Sequence, residues 1–181
     1  MKAVLASLKP YYYYLVGEGI KSVEVRKNYP KAEDWSRETY FYMSRDEKSF
    51  AKIPKEFQEK YRKHFGKVGM RFVCDRIDGI CWAANPTMLG WKNTYNKNSC
   101  LTDNELYDYT NGDLFYEWHI TDLVIYDNPR GLGEFYVWKK CNSCRDTGYE
   151  STACCYDEDC RVPAVITRPP KSWCYCEEVE K

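Results

Sequence analysis

The most compact chemistry this chain offers lies in Gly19-Ile20-Lys21-Ser22-Val23-Glu24-Val25-Arg26. Alternation puts Ser22, Glu24 and Arg26 on one face and Val23 and Val25 on the other, the period of a half-buried strand. Gly19 ends what precedes it, because glycine enters the left-handed conformation without steric cost. A carboxylate and a guanidinium then stand side by side, with Lys21 at the entry turn. The valines are expected to anchor the strand in a core, and the charged face to line a cleft. The alternative is a solvated strand face with a weak ion pair.

A second cluster is built of thiols. Cys141-x-x-Cys144, then Cys154-Cys155, then Cys160 fall within twenty residues. Thiolates at this spacing suit tetrahedral zinc, held by Cys141, Cys144, Cys155 (or its neighbour Cys154) and Cys160. Four cysteines leave no open position, so such a metal would brace a loop rather than catalyse. A metal-free thiol-rich loop and disulfides are the other readings. Cys74, Cys81 and Cys100 are scattered and read as small core residues. His64 and His119 are the two histidines. His64 reads as a cap at a helix end, where the dipole favours a partly charged imidazole. His119 reads as a structural strand residue.

These groups need elements to hold them. Ala3–Leu8 is a short buried strand, and Pro10 opens a helix over Tyr11–Val16 that closes on Gly17 and Gly19. Of the four consecutive tyrosines, Tyr12 or Tyr13 should pack inward. The charged strand runs over Ser22–Lys27, and Thr39–Met43 is β-prone. Phe57, Tyr61 and Phe65 recur every four residues from Pro54 onward, an amphipathic helix whose basic face carries Lys55, Lys60, Arg62 and Lys63. Val68–Ile80 and Phe115–Asp127 are long strands; in the second, Trp118, Ile120 and, after a bulge, Leu123 share a face. Between them Thr102–Glu105 fits a capping box, with a helix running to Thr110 and ending at Asn111-Gly112. Ser172–Val179 is the last strand, with Trp173 and Tyr175 opposite Cys174 and Cys176. About six strands with helices at two crossings, and no βαβαβ rhythm, predict an α+β mixed β-barrel in one domain spanning 1–181. Residues 81–100 and 141–160 read as insertions.

Composition bounds the function. Net charge is zero, with 27 basic and 27 acidic residues, and aromatics make up 17%. Residues 1–72 hold 16 Lys/Arg against 9 Asp/Glu, and the remainder the opposite excess. A basic half suggests an anionic partner for it. No run of apolar residues is long enough to span a bilayer, and Ala3–Leu8 is too short for a signal peptide. A cytoplasmic protein without membrane attachment is expected, one in which ten cysteines need a role other than structural disulfides.

Taken in order, Ser7-Leu8-Lys9-Pro10, the short helix, and Gly19-x-Lys21-x-x-Glu24-x-Arg26 resemble the ASCH domain, a PUA-like β-barrel. Gly66–Gly69 leading to Val73, Trp118–Leu123, and Arg168-Pro169-Pro170-x-Ser172-Trp173-Cys174-Tyr175 look like its bacterial and phage-borne members. The resemblance implies a cleft beside the first helix lined by Lys9, Lys21, Glu24 and Arg26, and binding of RNA or modified nucleobases. Lys and Arg could meet phosphate, Glu24 could accept from an exocyclic amine, and Trp118 or Trp173 could stack on a base. Some members hydrolyse N4-acylated cytidine with a Lys and a Thr three residues later; here Lys21 is kept and Glu24 stands in the place of that Thr. Others cleave RNA. Lys21 and Glu24 could serve as an acid–base catalytic pair. The sequence thus predicts an RNA- or nucleotide-binding module, with a hydrolase and a protein-interaction adaptor as alternatives.

Overall fold

Strand β1 (Lys2–Leu8) is the axis of the sheet and is buried from both sides. Val4, Ala6 and Leu8 join one apolar cluster, while Ala3 and Leu5 join a second. A strand covered on both faces reads as a continuous apolar run, as Ala3–Leu8 does. In the computed structural model, residues 2–31, 35–81, 95–140 and 161–178 are described.

The remaining elements are α1 (Pro10–Gly17), β2 (Val23–Arg26), β3 (Trp35–Met43), α2 (Glu47–Phe50), α3 (Lys55–Arg62), β4 (Val68–Ile80), β5 (Tyr95–Asn96), β6 (Leu101–Thr102), α4 (Asp103–Thr110), β7 (Phe115–Arg130), β8 (Phe135–Lys140), β9 (Arg161–Val165) and β10 (Trp173–Glu178). Among the described residues, eight strands form one mixed sheet in the order β2-β7-β4-β3-β1-β10-β8-β9; β5 and β6 pair separately. The β1–β3 pairing is parallel, and every other described pairing is antiparallel.

The sheet curls into a barrel-like shape. Its inner cluster includes Tyr13, Phe41, Met70, Phe72 and Trp118. The pairing ladder joins β2 to β1 only through β7, β4 and β3, yet Arg26 on β2 donates from Nη2 to the Ser7 carbonyl on β1 at 2.8 Å. One side chain therefore bridges the gap between the first strand of the sheet and its axis. The bulge expected in β7 sits at Asp122, whose φ is +46°. It keeps Leu123 and Ile125 on the inner face with Trp118 and Ile120.

Helix α1 packs inward through Tyr13 and Tyr14, and Gly17 lets α3 approach: a Cβ there would lie 2.2 Å from the Tyr61 hydroxyl. His64 departs from the expected cap. The helix ends at Arg62, and His64 is 1% exposed, its Nδ1 3.0 Å from the Tyr13 hydroxyl. Burial, aided by nearby Lys63, pushes its pKa down to about 4, so it is a neutral core residue.

Several elements differ from expectation. Strand β3 begins at Trp35 rather than Thr39, β7 runs through Pro129 to Arg130, and α2, β8 and β9 add to the predicted set. Cys74 and Cys100 are buried as expected, but Cys81 is exposed. Cys141, Cys144, Cys154, Cys155 and Cys160, and with them the zinc expectation, lie outside the described residues, as do residues 82–94 of the first insertion. The described part of that insertion contains β5 and the turn at 97–100. No described helix is long and apolar enough to cross a membrane.

Candidate functional site

Strand β2 carries the site: its charged face lines a cavity and its valines are buried, as expected, but the charged face is itself covered. Glu24 is directly across from Trp118 in the β2–β7 ladder, and directly opposed residues share a face. Trp118 is fully buried in the inner cluster, so Glu24 and Arg26 belong to the barrel-ward face. Val25 instead packs with Leu106 of α4 and Phe115 in a small third cluster. Both faces are covered, which is why all four residues of β2 are buried.

The charged groups pair with one another, although the buried Arg26 Nε has no hydrogen-bond partner among the described residues. Glu24 Oε1 lies 2.9 Å from Arg26 Nη2, and Glu24 Oε2 lies 3.4 Å from Lys21 Nζ. Lys21 Nζ donates to the Ser99 carbonyl at 2.7 Å. Arg26 Nη1 donates to the carbonyl and hydroxyl oxygens of Ser172 at 3.2 and 3.3 Å. The turn at 97–100 is fixed over the site, because the amides of Ser22 and Val23 both donate to the Asn98 carbonyl. Lys21 is 2% exposed, and desolvation lowers its pKa despite the opposing pull of Glu24. A larger share of its amine is therefore neutral at a given alkaline pH than on an exposed lysine.

This constellation forms one wall of a cavity of about 760 Å³, inside the range of roughly 300–1,000 Å³ usual for small-molecule sites. Ser7, Leu8, Lys9 and Tyr12 line a second wall, and Leu101, Glu105, Asp108 and Tyr109 a third. Ser44, Asp46 and Pro169–Ser172 complete the lining. Helix α4 is held in place by a complete capping box: Thr102 Oγ1 accepts from the Glu105 amide, and Glu105 Oε2 accepts from the Thr102 amide at 2.8 Å. Asn111 closes the helix in the left-handed conformation.

Lys9, Lys21, Glu24 and Arg26 are thus brought together, as expected. The two tryptophans are not. Trp118 is a core residue with no exposed surface, which excludes it as a stacking platform. Trp173 packs edge-on to Trp118, donates from Nε1 to Asn28 Oδ1 at 2.7 Å, and is not part of the lining. Among the described residues, the aromatic surfaces at the cavity are Tyr12 and Tyr109. Lys21 Nζ is 5.7 Å from the Tyr12 ring centre, and Tyr109 remains 40% exposed under Lys27. Burial, reinforced by Glu105 and Glu24, raises the Tyr12 pKa, so its phenol stays a proton donor. The sequence signal for Tyr109 was its place in α4, six residues after Asp103; nothing in the pattern tied α4 to β2. His119 lies outside the cavity, paired with Asp78 at 2.8 Å.

The lining holds four basic residues, Lys9, Lys21, Arg26 and Lys171, and four acidic ones, Glu24, Asp46, Glu105 and Asp108. Such a cavity can donate from Lys21, accept at Glu24, and flank a flat ligand with phenol rings. The described lining residues carry no net charge with which to attract a polyphosphate.

No protein-family model and no curated protein matches the chain. Solved structures do. A serine-to-alanine variant of ZmASCH from Zymomonas mobilis matches with a TM-score of 0.51 at 14% identity, over 99% of this chain and 89% of that one. A tyrosine-to-phenylalanine variant of the same protein gives 0.49 at 15%, over 100% and 92%; the unsubstituted ASCH protein gives 0.48 at 15%, over 99% and 89%. The likeness is one of fold, that of the solved ASCH structure.

Proposed function

We propose that this ASCH-fold protein binds a nucleobase, free as a nucleoside or carried on RNA, in the cavity beside β2. The observation that carries this reading is the buried Lys21–Glu24–Arg26 constellation opening into a charge-balanced cavity flanked by Tyr12 and Tyr109. A base such as cytosine presents two acceptors and an exocyclic amine on one edge. Lys21 can donate to the former and Glu24 can accept from the latter, since each Glu24 oxygen keeps a lone pair beyond its cation contact. Tyr12 and Tyr109 supply the faces on which a flat ring packs. Arg26 holds Glu24 in place and closes the barrel.

Hydrolysis of an acylated base is favoured as a second reading by the desolvated Lys21 amine, 3.4 Å from Glu24. In its neutral form this amine could take a proton from a water attacking the acyl carbonyl. Titration of cytidine and N4-acetylcytidine into the wild-type protein and into Lys21→Met and Tyr109→Ala, with product analysis, separates the readings. Binding of both compounds to the wild type, weakened roughly tenfold or more in each variant as expected for a lost stacking or charged hydrogen-bond contact, supports recognition. Release of acetate that requires Lys21 supports hydrolysis. Failure of the wild-type protein to bind either compound at millimolar concentration overturns both.

A further inference from the structure

We infer that the base arrives on a single-stranded polynucleotide whose phosphates cross the surface formed by α2, the turn after it, and α3. This rests on the reading of the cavity as a base site and adds the surface that holds the rest of the strand.

The argument begins from charge placement. Residues 1–72 carry seven more basic than acidic residues, yet the cavity walls are balanced. The excess is concentrated elsewhere. Between Arg45 and Lys67 there are eight basic residues and four acidic ones, and all eight basic residues are exposed. A lining that does not itself attract phosphate and a cationic surface beside it divide the work of nucleic-acid recognition into base reading and backbone holding.

The two are contiguous. Asp46 caps α2 and also lines the cavity, so α2 starts at the cavity lip. The Tyr11 amide at the start of α1 donates to Ser49 Oγ, fixing α2 against the wall that carries Lys9 and Tyr12. Arg62 of α3 packs its guanidinium 3.8 Å from the Phe50 ring centre and pairs with Glu47, which joins α2 and α3 into one surface. The Arg45 side chain lies along Gly66, next to Lys67.

Some of these cations are engaged within the fold and others are not. Lys60 pairs with Glu18, Arg62 with Glu47, and Lys63 donates to the Asp127 carbonyl. Lys48, Lys52 and Lys55 are exposed and make no ion pair or side-chain hydrogen bond among the described residues. Lys55 is the first residue of α3, where the helix dipole disfavours a positive charge. A cation placed against the local electrostatic preference points to a role outside the folded chain. Phosphates along a strand leaving the cavity lip would meet Lys48, Lys52 and Lys55 in that order of chain position.

The test compares the wild-type chain with the triple variant Lys48→Glu/Lys52→Glu/Lys55→Glu, using cytidine and an eight-nucleotide single-stranded RNA containing cytidine as probes. The reversed charge at Lys55 suits the helix N-terminus, so an unchanged circular dichroism spectrum and melting point are expected. Cytidine affinity should be the same in both proteins. The RNA should bind the wild type more tightly than cytidine does, with an affinity that falls as salt rises. In the variant that gain should be lost, and the slope of log affinity against log salt should shrink by about 2, three contacts at roughly 0.7 each. Equal RNA affinity and salt slope in the two proteins would overturn the inference while leaving the base site standing. So would wild-type binding of cytidine with no gain from the oligonucleotide. Binding of phosphatidylserine vesicles but not RNA would reassign the surface to a membrane. Loss of cytidine binding by the wild type counts against the base site itself.

Discussion

Arg26 has two roles in one side chain. It is 5% exposed and holds Glu24, the Ser7 carbonyl and Ser172 at once. Removing one member of a buried charged set leaves its partners desolvated and unpaired, which costs about 3–5 kcal/mol. Arg26→Ala should therefore lower unfolding free energy by that order in urea titrations, and lose ligand binding as a consequence of a loosened site. Lys21→Met leaves the Glu24–Arg26 pair intact and should cost much less. An Arg26→Ala protein as stable as the wild type would show that the closure between β2 and β1 does not depend on this contact. At this scale the sequence was informative in part. The types and spacing of Lys21, Glu24 and Arg26 announced a polar constellation, and Lys9 followed from the resemblance. Trp118 misled because a large aromatic on a strand is equally suited to a core and to a stacking surface, and only the curl of the sheet decides. Tyr12 and Tyr109 went unassigned because their function depends on which neighbour they face, and alternation or helical period does not reveal that.

At the scale of elements, the docking of α1 against α3 turns on a titratable contact. Tyr13 of α1 meets His64, which follows α3, and the imidazole is held neutral by burial, with a pKa near 4 against an ordinary 6.5. The unfolded chain binds more protons between those values, so stability must rise with pH through that window and be lost as pH falls from about 6.5 toward 4. The full effect is on the order of 3 kcal/mol. Urea unfolding of the wild type at intervals from pH 4 to 7 should show this slope, and His64→Gln should flatten it; an identical slope in the variant would contradict the assignment. Capping and glycine signals located α1 and α4 because those signals act locally. Alternation separated the charged face of β2, which lines the cavity, from its apolar face, which is buried, but it did not reveal that both are covered. Alternation shows that two faces differ, but when both are buried it does not say which one meets the core. Here the apolar face meets a small helix-covered cluster, and the charged face is buried by mutual pairing. Strand β9, with its Pro163, and the four-residue α2 were too short or too weakly patterned to stand out.

For the whole molecule, eight strands curl so that β2 and β1, remote in the ladder, come within one side chain of each other, and the cavity opens where they meet. The order of motifs along the chain announced a mixed barrel-like sheet with short helices. Their convergence on one cavity depends on contacts between residues far apart in sequence, such as Arg26 with Ser172, and no local pattern encodes those. Eight of the sixteen basic residues in 1–72 lie between Arg45 and Lys67, exposed and outside the cavity lining. The most direct test of this account is a crystal structure of the protein soaked with cytidine. It predicts a cytosine ring against Tyr12 and Tyr109, with one ring edge within hydrogen-bond distance of Lys21 Nζ and a Glu24 carboxylate oxygen. A cavity without ligand density at saturating cytidine, or a nucleoside bound elsewhere on the barrel, would contradict it.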